Sequence, residues 1–178
     1  VLEEARTLGK IRYYGCSNWA LPRIIEANDY ARKRNITGFV CNQLMWSLAD
    51  INYDGITDKT LVLMDENTYE YHRKTGMNVM AYTAAAKGYF TKLAEGKPIS
   101  QKVLDRYDIP SNKQIFNELV KVADELNVGI IEVELSFLMH QEFTCIPIVS
   151  FSSLGQLKQG MRSCELKLDS KLVHKLQN

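Results

Sequence analysis

A serine and an asparagine at the end of an apolar strand are the first residues of this chain that could do chemistry. In Gly9-Lys10-Ile11-Arg12-Tyr13-Tyr14-Gly15-Cys16-Ser17-Asn18-Trp19 a short apolar run ends in a polar tip that hands directly into a helix. A hydroxyl beside an amide offers donors and acceptors together, and strand ends that lead into helices are where α/β proteins hold ligands. The same two side chains would serve equally well as a helix N-cap. Gln43 closes the run Phe39-Val40-Cys41-Asn42-Gln43, where a solvated strand-end role suits it, and Tyr82 stands near the end of another run, where packing alone would explain a tyrosine. Tyr89, with Lys87 and Lys92, forms the Tyr/Lys cluster closest to a strand end, and it lacks a neighbouring carboxylate to complete a proton relay. His72 and His140 fall on helical segments and His174 lies near the tail, all three read as surface or packing residues. No CxxC, HExxH or similar ligand cluster occurs, so a metal has no sequence support.

The chain that must position these groups has 178 residues, 46% hydrophobic and 24% charged, which suits one ordinary domain spanning residues 1–178. Twenty-two basic residues against 21 acidic ones leave a formal charge of +1, with no basic block that would point to nucleic acid. The apolar runs are too short for a membrane-spanning helix and no leader opens the chain, so the expectation is a soluble, cytoplasmic protein. Cys16, Cys41, Cys145 and Cys164 are widely separated and read as free thiols of a reducing compartment. Val1 to Leu8 reads as the end of an amphipathic helix closed by Gly9, without an initiator Met, as if the start were trimmed or lost.

Periodicity then lays out alternating elements. A strand over Ile11 to Cys16 precedes a helix over Ala20 to Arg34, with Pro22 in its first turn. A strand at Phe39 to Gln43, a polar loop and a helix near Leu61 to Lys74 repeat the unit. Gly76 to Thr83 gives a third strand, followed by a long connection and a helix capped by Ser111. A helix over Ile130 to His140 then leads to a fourth strand at Cys145 to Ser150, a helix near Ser153 to Met161, and a short terminal helix capped by Asp169. Strands apolar along their length and alternating with helices predict parallel βα units covered on both sides, an α/β class. Half of a TIM-type (β/α)8 barrel and an open flavodoxin-like sheet both satisfy the pattern.

A resemblance separates the two. The run Gly9 to Trp19 is similar to the GKIRxxGxSN(W/F) fifth strand of the aldo-keto reductases, and Asn42-Gln43 falls where their sixth strand ends in NQ. Ala81-Tyr82-Thr83 followed by Lys87-Gly88-Tyr89-Phe90-Thr91 resembles the seventh-strand AYSPL..G.LT pattern. Phe143 to Val149 with Gln156-Leu157 resembles the eighth strand and its EQL helix. These matches run in order over essentially the whole chain, which implies a C-terminal half-barrel made of four βα units.

The resemblance further implies a nicotinamide cofactor, NADP or NAD. Ser17, Asn18 and Gln43 match the residues that hold its carboxamide, and Tyr82 matches the aromatic on which its ring stacks. Thr83 would border the pyrophosphate, and the segment from Ala84 to Asn112, with Lys87, Lys92 and Lys97, could fold over the phosphates. Ser150, Gln156, Gln159 and Gly160 fall at the adenosine end, where the family's Lys-Ser reads Ser150-Phe151 and an Arg is replaced by Gln156. Gln156 cannot make the bidentate contact that Arg offers a 2′-phosphate, which puts NADP preference in doubt. The implied activity is reduction of a carbonyl. The family's Asp, Tyr, Lys and His tetrad lies on the first four units, so no catalytic residue is expected here. Half a barrel would leave edges and inward-facing apolar residues such as Val40, Val79 and Ile148 without an opposite wall, which predicts a homo-oligomer or a complementary N-terminal half. A non-catalytic ancillary or scaffold subunit, or an inactive truncated product, is the alternative on the same fold. An unrelated βα half-barrel that binds a phosphate compound is a third reading.

Overall fold

The computed structural model describes residues 1–177. Four parallel strands, β1 (Cys16–Ser17), β2 (Cys41–Met45), β3 (Asn78–Tyr82) and β4 (Cys145–Ile148), pair in chain order. Helices α2 (Leu21–Lys33) and α3 (Glu66–Thr75) connect the first three. Between β3 and β4 lie α4 (Tyr89–Ala94), α5 (Gln101–Tyr107), α6 (Pro110–Leu126) and α7 (Ile130–Met139). A short α1 (Leu2–Thr7) precedes the sheet, and α8 (Leu154–Arg162) and α9 (Ser170–Gln177) follow it.

Side chains alternate across the pleat, so the register sorts every strand residue onto one of two faces. Asn42, Leu44, Val79, Ala81 and Cys145 share the face covered by helices and are buried. Of these, Val79, Ala81 and Cys145 share a core cluster with α7, a largely apolar helix buried from Ile131 to Leu138. On the other face Gln43, Met80 and Ile146 line up in one row, and Met45, Tyr82 and Ile148 in the next. That face is only partly covered: Ile146 retains 48% of its surface, while Met45 at the tip of β2 is sealed. The strands are thus sealed on one side rather than two. Val79 also belongs to the helix-covered core and not to the open face, because it is in register with Asn42.

Several boundaries differ from the periodic pattern for identifiable reasons. Of the predicted strand Ile11 to Cys16 only Cys16 lies in β1, which runs on to Ser17; further back, the Tyr14 carbonyl accepts from Val40 N, and Arg12 and Tyr13 are exposed. Residues 61–64 are not helical. Leu63 bridges to Met45, with Met45 N donating to Val62 O, so this segment lies beside the tip of β2 where β1 has already ended. The helix begins at Glu66, where Asp65 accepts from Thr68 N at 2.7 Å. Likewise Pro110 opens α6 with Ile109 at the cap position, so Ser111 sits inside the first turn.

Candidate functional site

Ser17, Asn18, Gln43 and Tyr82 come together at the carboxyl ends of the first three strands. Ser17 and Gln43 are register partners on the open face, and the Asn18 amide donates to the Gln43 carbonyl at 3.1 Å. Asn18 turns off the strand in the left-handed region, φ 55°, a conformation asparagine tolerates better than most residues. Its side-chain oxygen accepts twice, from the Tyr82 hydroxyl at 2.8 Å and from Val62 N at 3.1 Å. The oxygen is therefore fully occupied, and Nδ2 is left without a partner among the described residues. The Ser17 hydroxyl and the Gln43 amide are also unbonded there. Burial raises the Tyr82 phenol above its ordinary pKa despite the bond to Asn18, so it stays a donor.

The neighbour of Gln43 has a different task. Asn42 points to the helices, fully buried, where its Nδ2 donates to His72 Nε2 at 3.3 Å and its oxygen faces the Cys16 thiol. His72 Nδ1 donates to the Met77 carbonyl at 2.8 Å, and burial lowers its pKa, which fixes the neutral tautomer. His72 is thus a core latch between α3 and β2. Tyr89 is equally structural: it is sealed, its hydroxyl meets Asp108 at 3.3 Å, and its pKa is pushed up to about 12. A carboxylate does stand beside it, contrary to the sequence expectation, but burial makes this phenol a weaker acid.

Thr83, Ser150, Gln156 and Gln159 lie elsewhere, along a cleft of about 640 Å³ between the turn after β3 and the start of α8. Lys87, Lys92 and Lys97 border the same cleft. Thr83 has φ 57°, a rare conformation for a β-branched residue and of the kind that clusters at binding sites. At the α8 end, Gln156 Oε1 accepts from Ser152 N at 3.0 Å and Oγ at 2.8 Å, while Ser153 Oγ accepts from Gln156 N. This is a helix-capping arrangement that occupies the Gln156 oxygen. The Gln159 amide packs on Gly129, and the Phe151 ring lies so close over Gly160 that a Cβ there would collide with it. Adjacent Phe151 and Gly160 form a fitted pair that sequence reading missed, and the only signal for it is the small residue on α8.

The four cysteines are free, with the thiols of Cys16 and Cys145 raised by burial to about 11 and about 12. No group of three or more His, Cys, Asp or Glu side chains among the described residues could hold a metal, and no helix there is long and apolar enough to cross a membrane.

A parallel sheet that pairs in chain order and alternates with helices is the architecture of β/α-barrel proteins, a class that holds its ligands at the carboxyl ends of the strands. Comparison with known proteins gives the family: residues 1–178 match the Aldo/keto reductase family, and the chain belongs to it. It is 23% identical over 171 residues to the uncharacterized oxidoreductase YrpG of Bacillus subtilis, covering 94% of this chain and 48% of that protein. Protein tas of Escherichia coli is 23% identical over 183 residues, with coverages of 99% and 50%. Among solved structures, the thermostable aldo-keto reductase Tm1743, in complex with the inhibitor epalrestat, superposes with a TM-score of 0.63 at 19% identity over 99% of this chain and 51% of its own. The aldose reductase of Schistosoma japonicum gives 0.64 at 15% identity, over 99% and 44%. The fold is that of βα units forming half of a (β/α)8 barrel, and the chain spans about half the length of the relatives it matches.

Proposed function

We propose that these residues are the C-terminal half of an aldo-keto reductase barrel, one folding domain that carries the nicotinamide side of an NADPH- or NADH-dependent carbonyl reductase. The observation that carries this reading is the convergence at three successive strand ends of a serine hydroxyl, an asparagine Nδ2 and a glutamine amide, all unbonded, around Tyr82. A carboxamide has one acceptor and a donor group, and such a set meets both. In this role Asn18 donates to the carboxamide oxygen, Ser17 and Gln43 supply the complementary contacts, and Tyr82 bears on the ring and keeps water from one side of it. Thr83 borders the diphosphate. Ser150 and the α8 residues Gln156 and Gln159 border the adenosine end, where Gln156 offers no bidentate guanidinium to a 2′-phosphate, while Lys87, Lys92 and Lys97 border the same cleft. When bound, the cofactor supplies the hydride; the proton that carbonyl reduction also needs comes, by family inference, from a tetrad on polypeptide outside these residues.

The open face needs a covering, either a second copy of the chain or an N-terminal half of the barrel, because a row containing Met80 and Ile146 is poorly placed in water. The proposed compartment is the cytoplasm. A second reading, a cofactor-binding subunit without catalysis, draws on the burial of Tyr89, which removes the one candidate acid in these residues.

Titration with NADPH and NADH, followed by nicotinamide fluorescence and then repeated with an aldehyde present, tests both. Binding with no aldehyde-dependent oxidation by the chain alone is the expected result. Absence of binding by either cofactor would discard the nicotinamide assignment, and oxidation by the chain alone would discard the division of labour.

A further inference from the structure

Arg106, near the end of α5, is 5% exposed. No carboxylate among the described residues forms an ion pair with it, and its Nε is sealed from solvent without a partner. A guanidinium held in that state is costly and calls for an explanation. Two hydroxyls share its condition: Thr83 Oγ1 and Tyr107 Oη are both buried and unbonded. They adjoin it: the side chains of Thr83 and Arg106 both lie close enough to the Tyr107 hydroxyl to bear on its ionisation through hydrogen bonding, though no well-formed bond joins the sealed atoms of the three.

The carboxyl groups nearby do not answer the charge. Glu134 is fully buried with both oxygens unbonded, and burial raises its pKa well above its ordinary value, which favours the neutral acid. Asp108 accepts from Tyr89, Asp105 from Gln101, and Asp58 from Thr60. Nor is Arg106 on a loosely attached loop. Asn52 N donates to the Arg106 carbonyl at 2.8 Å and Asn52 Nδ2 to that of Asp105 at 3.0 Å, while Asn112 Nδ2 donates to the carbonyls of Asp50 and Tyr107. Gly55 presses against Asp105 and Arg106 with no room for a Cβ. A fixed, buried cation therefore stands with two hydroxyls that lack well-formed bonds behind the end of β3, and Thr83 is also among the residues that line the cleft.

We propose that Arg106, with the hydroxyls of Thr83 and Tyr107, is an oxyanion-binding site reached through the cleft that Thr83 lines. Its chemistry is that of a phosphate or carboxylate oxygen, the groups that charge-assisted guanidinium bonds favour. On the nicotinamide reading, which this deepens, the oxygen comes either from the cofactor's diphosphate or from an acid group on the carbonyl substrate.

Calorimetric titration of the full chain in phosphate-free, low-salt buffer, with sodium pyrophosphate and separately with 2-oxobutanoate, tests the site in wild type and in Arg106→Gln. At least one anion binds wild type, and the variant binds it roughly 10- to 100-fold more weakly. Thr83→Val weakens it as well, without a change of charge. Pyrophosphate displaced by NADH identifies the diphosphate as the source; 2-oxobutanoate bound together with NADH identifies a substrate acid. In anion-free buffer the denaturation midpoint of Arg106→Gln is no lower than that of wild type, because a charge without a partner is being removed. A lower midpoint would show that Arg106 already has a structural partner and overturn the assignment, as would absence of binding by both anions or equal binding to both proteins. Arg106-dependent pyrophosphate binding without NADH binding removes the nicotinamide reading and leaves this site; NADH binding with neither anion bound does the reverse.

Discussion

Leu44 and Ile146 are aliphatic residues of one four-stranded sheet, yet Leu44 is fully sealed under the helices while Ile146 keeps nearly half its surface on the other side. The contrast extends along the strands. The helix-covered face holds Val79, Ala81 and the Asn42–His72 latch; the open face holds Ser17, Gln43 and Tyr82. The first face carries the packing that folds the chain, and the second carries the groups proposed to meet a ligand. In the pair Asn42-Gln43 the two tasks fall on adjacent residues, because the pleat sends neighbours to opposite sides.

The sharpest way to break this contrast is truncation. Leu44→Ala should cost about 3 kcal/mol in urea unfolding, as a fully buried leucine does, and Ile146→Ala under about 1 kcal/mol. Equal costs would mean that the open face is covered, most simply by a second copy, and light scattering would then show a concentration-dependent dimer. Asn42→Ala should cost about 2 kcal/mol, since it leaves the buried His72 Nε2 unbonded; a neutral result would remove the latch. On the open face, Tyr82→Ala should weaken NADH binding by about 1 kcal/mol, roughly fivefold, if the ring stacks there. Unchanged affinity would take Tyr82 out of the site.

The smallest effect is a pH slope. Burial holds His72 below its ordinary value of 6.5, so as pH falls past that value the unfolded chain takes up a proton that the folded chain refuses. Stability is complete above the unfolded pKa and is lost as pH falls toward the folded one. His72→Gln should flatten unfolding free energies between about pH 7 and pH 5; identical slopes would show that His72 does not contribute.

The helices were the most legible part of the sequence. Ile24, Ala27 and Ala31 repeat at helical spacing, and α2 forms within a residue or so of where they place it. The Asp169 cap also stands as read, with Leu172 N donating to Asp169 at 2.8 Å. Strand limits were harder, because a strand exists only where a neighbour supplies bonds: Ile11 to Tyr14 has the composition of a strand and almost no partner. The segment Leu61 to Met64 misleads for the opposite reason, since its bridge to Met45 is a long-range fact that no local pattern contains. Among site residues, the strand-end polar groups were visible from their place in the pattern. Arg106 was not, because an arginine in a polar helix reads as solvated until Asn52, Gly55 and Asn112 are seen to close over that segment. Glu134, in a run as apolar as Ile130 to Met139, was a signal available and overlooked.

With Val62 and Tyr82 both bonded to its oxygen, Asn18 has lost the symmetry that lets a free amide be flipped end for end. The strand end is therefore polarised, offering hydrogen atoms and no lone pair from this side chain. A ring substituent that keeps its C=O and gives up its NH₂, such as the acetyl group of acetylpyridine adenine dinucleotide, would lose nothing at Asn18.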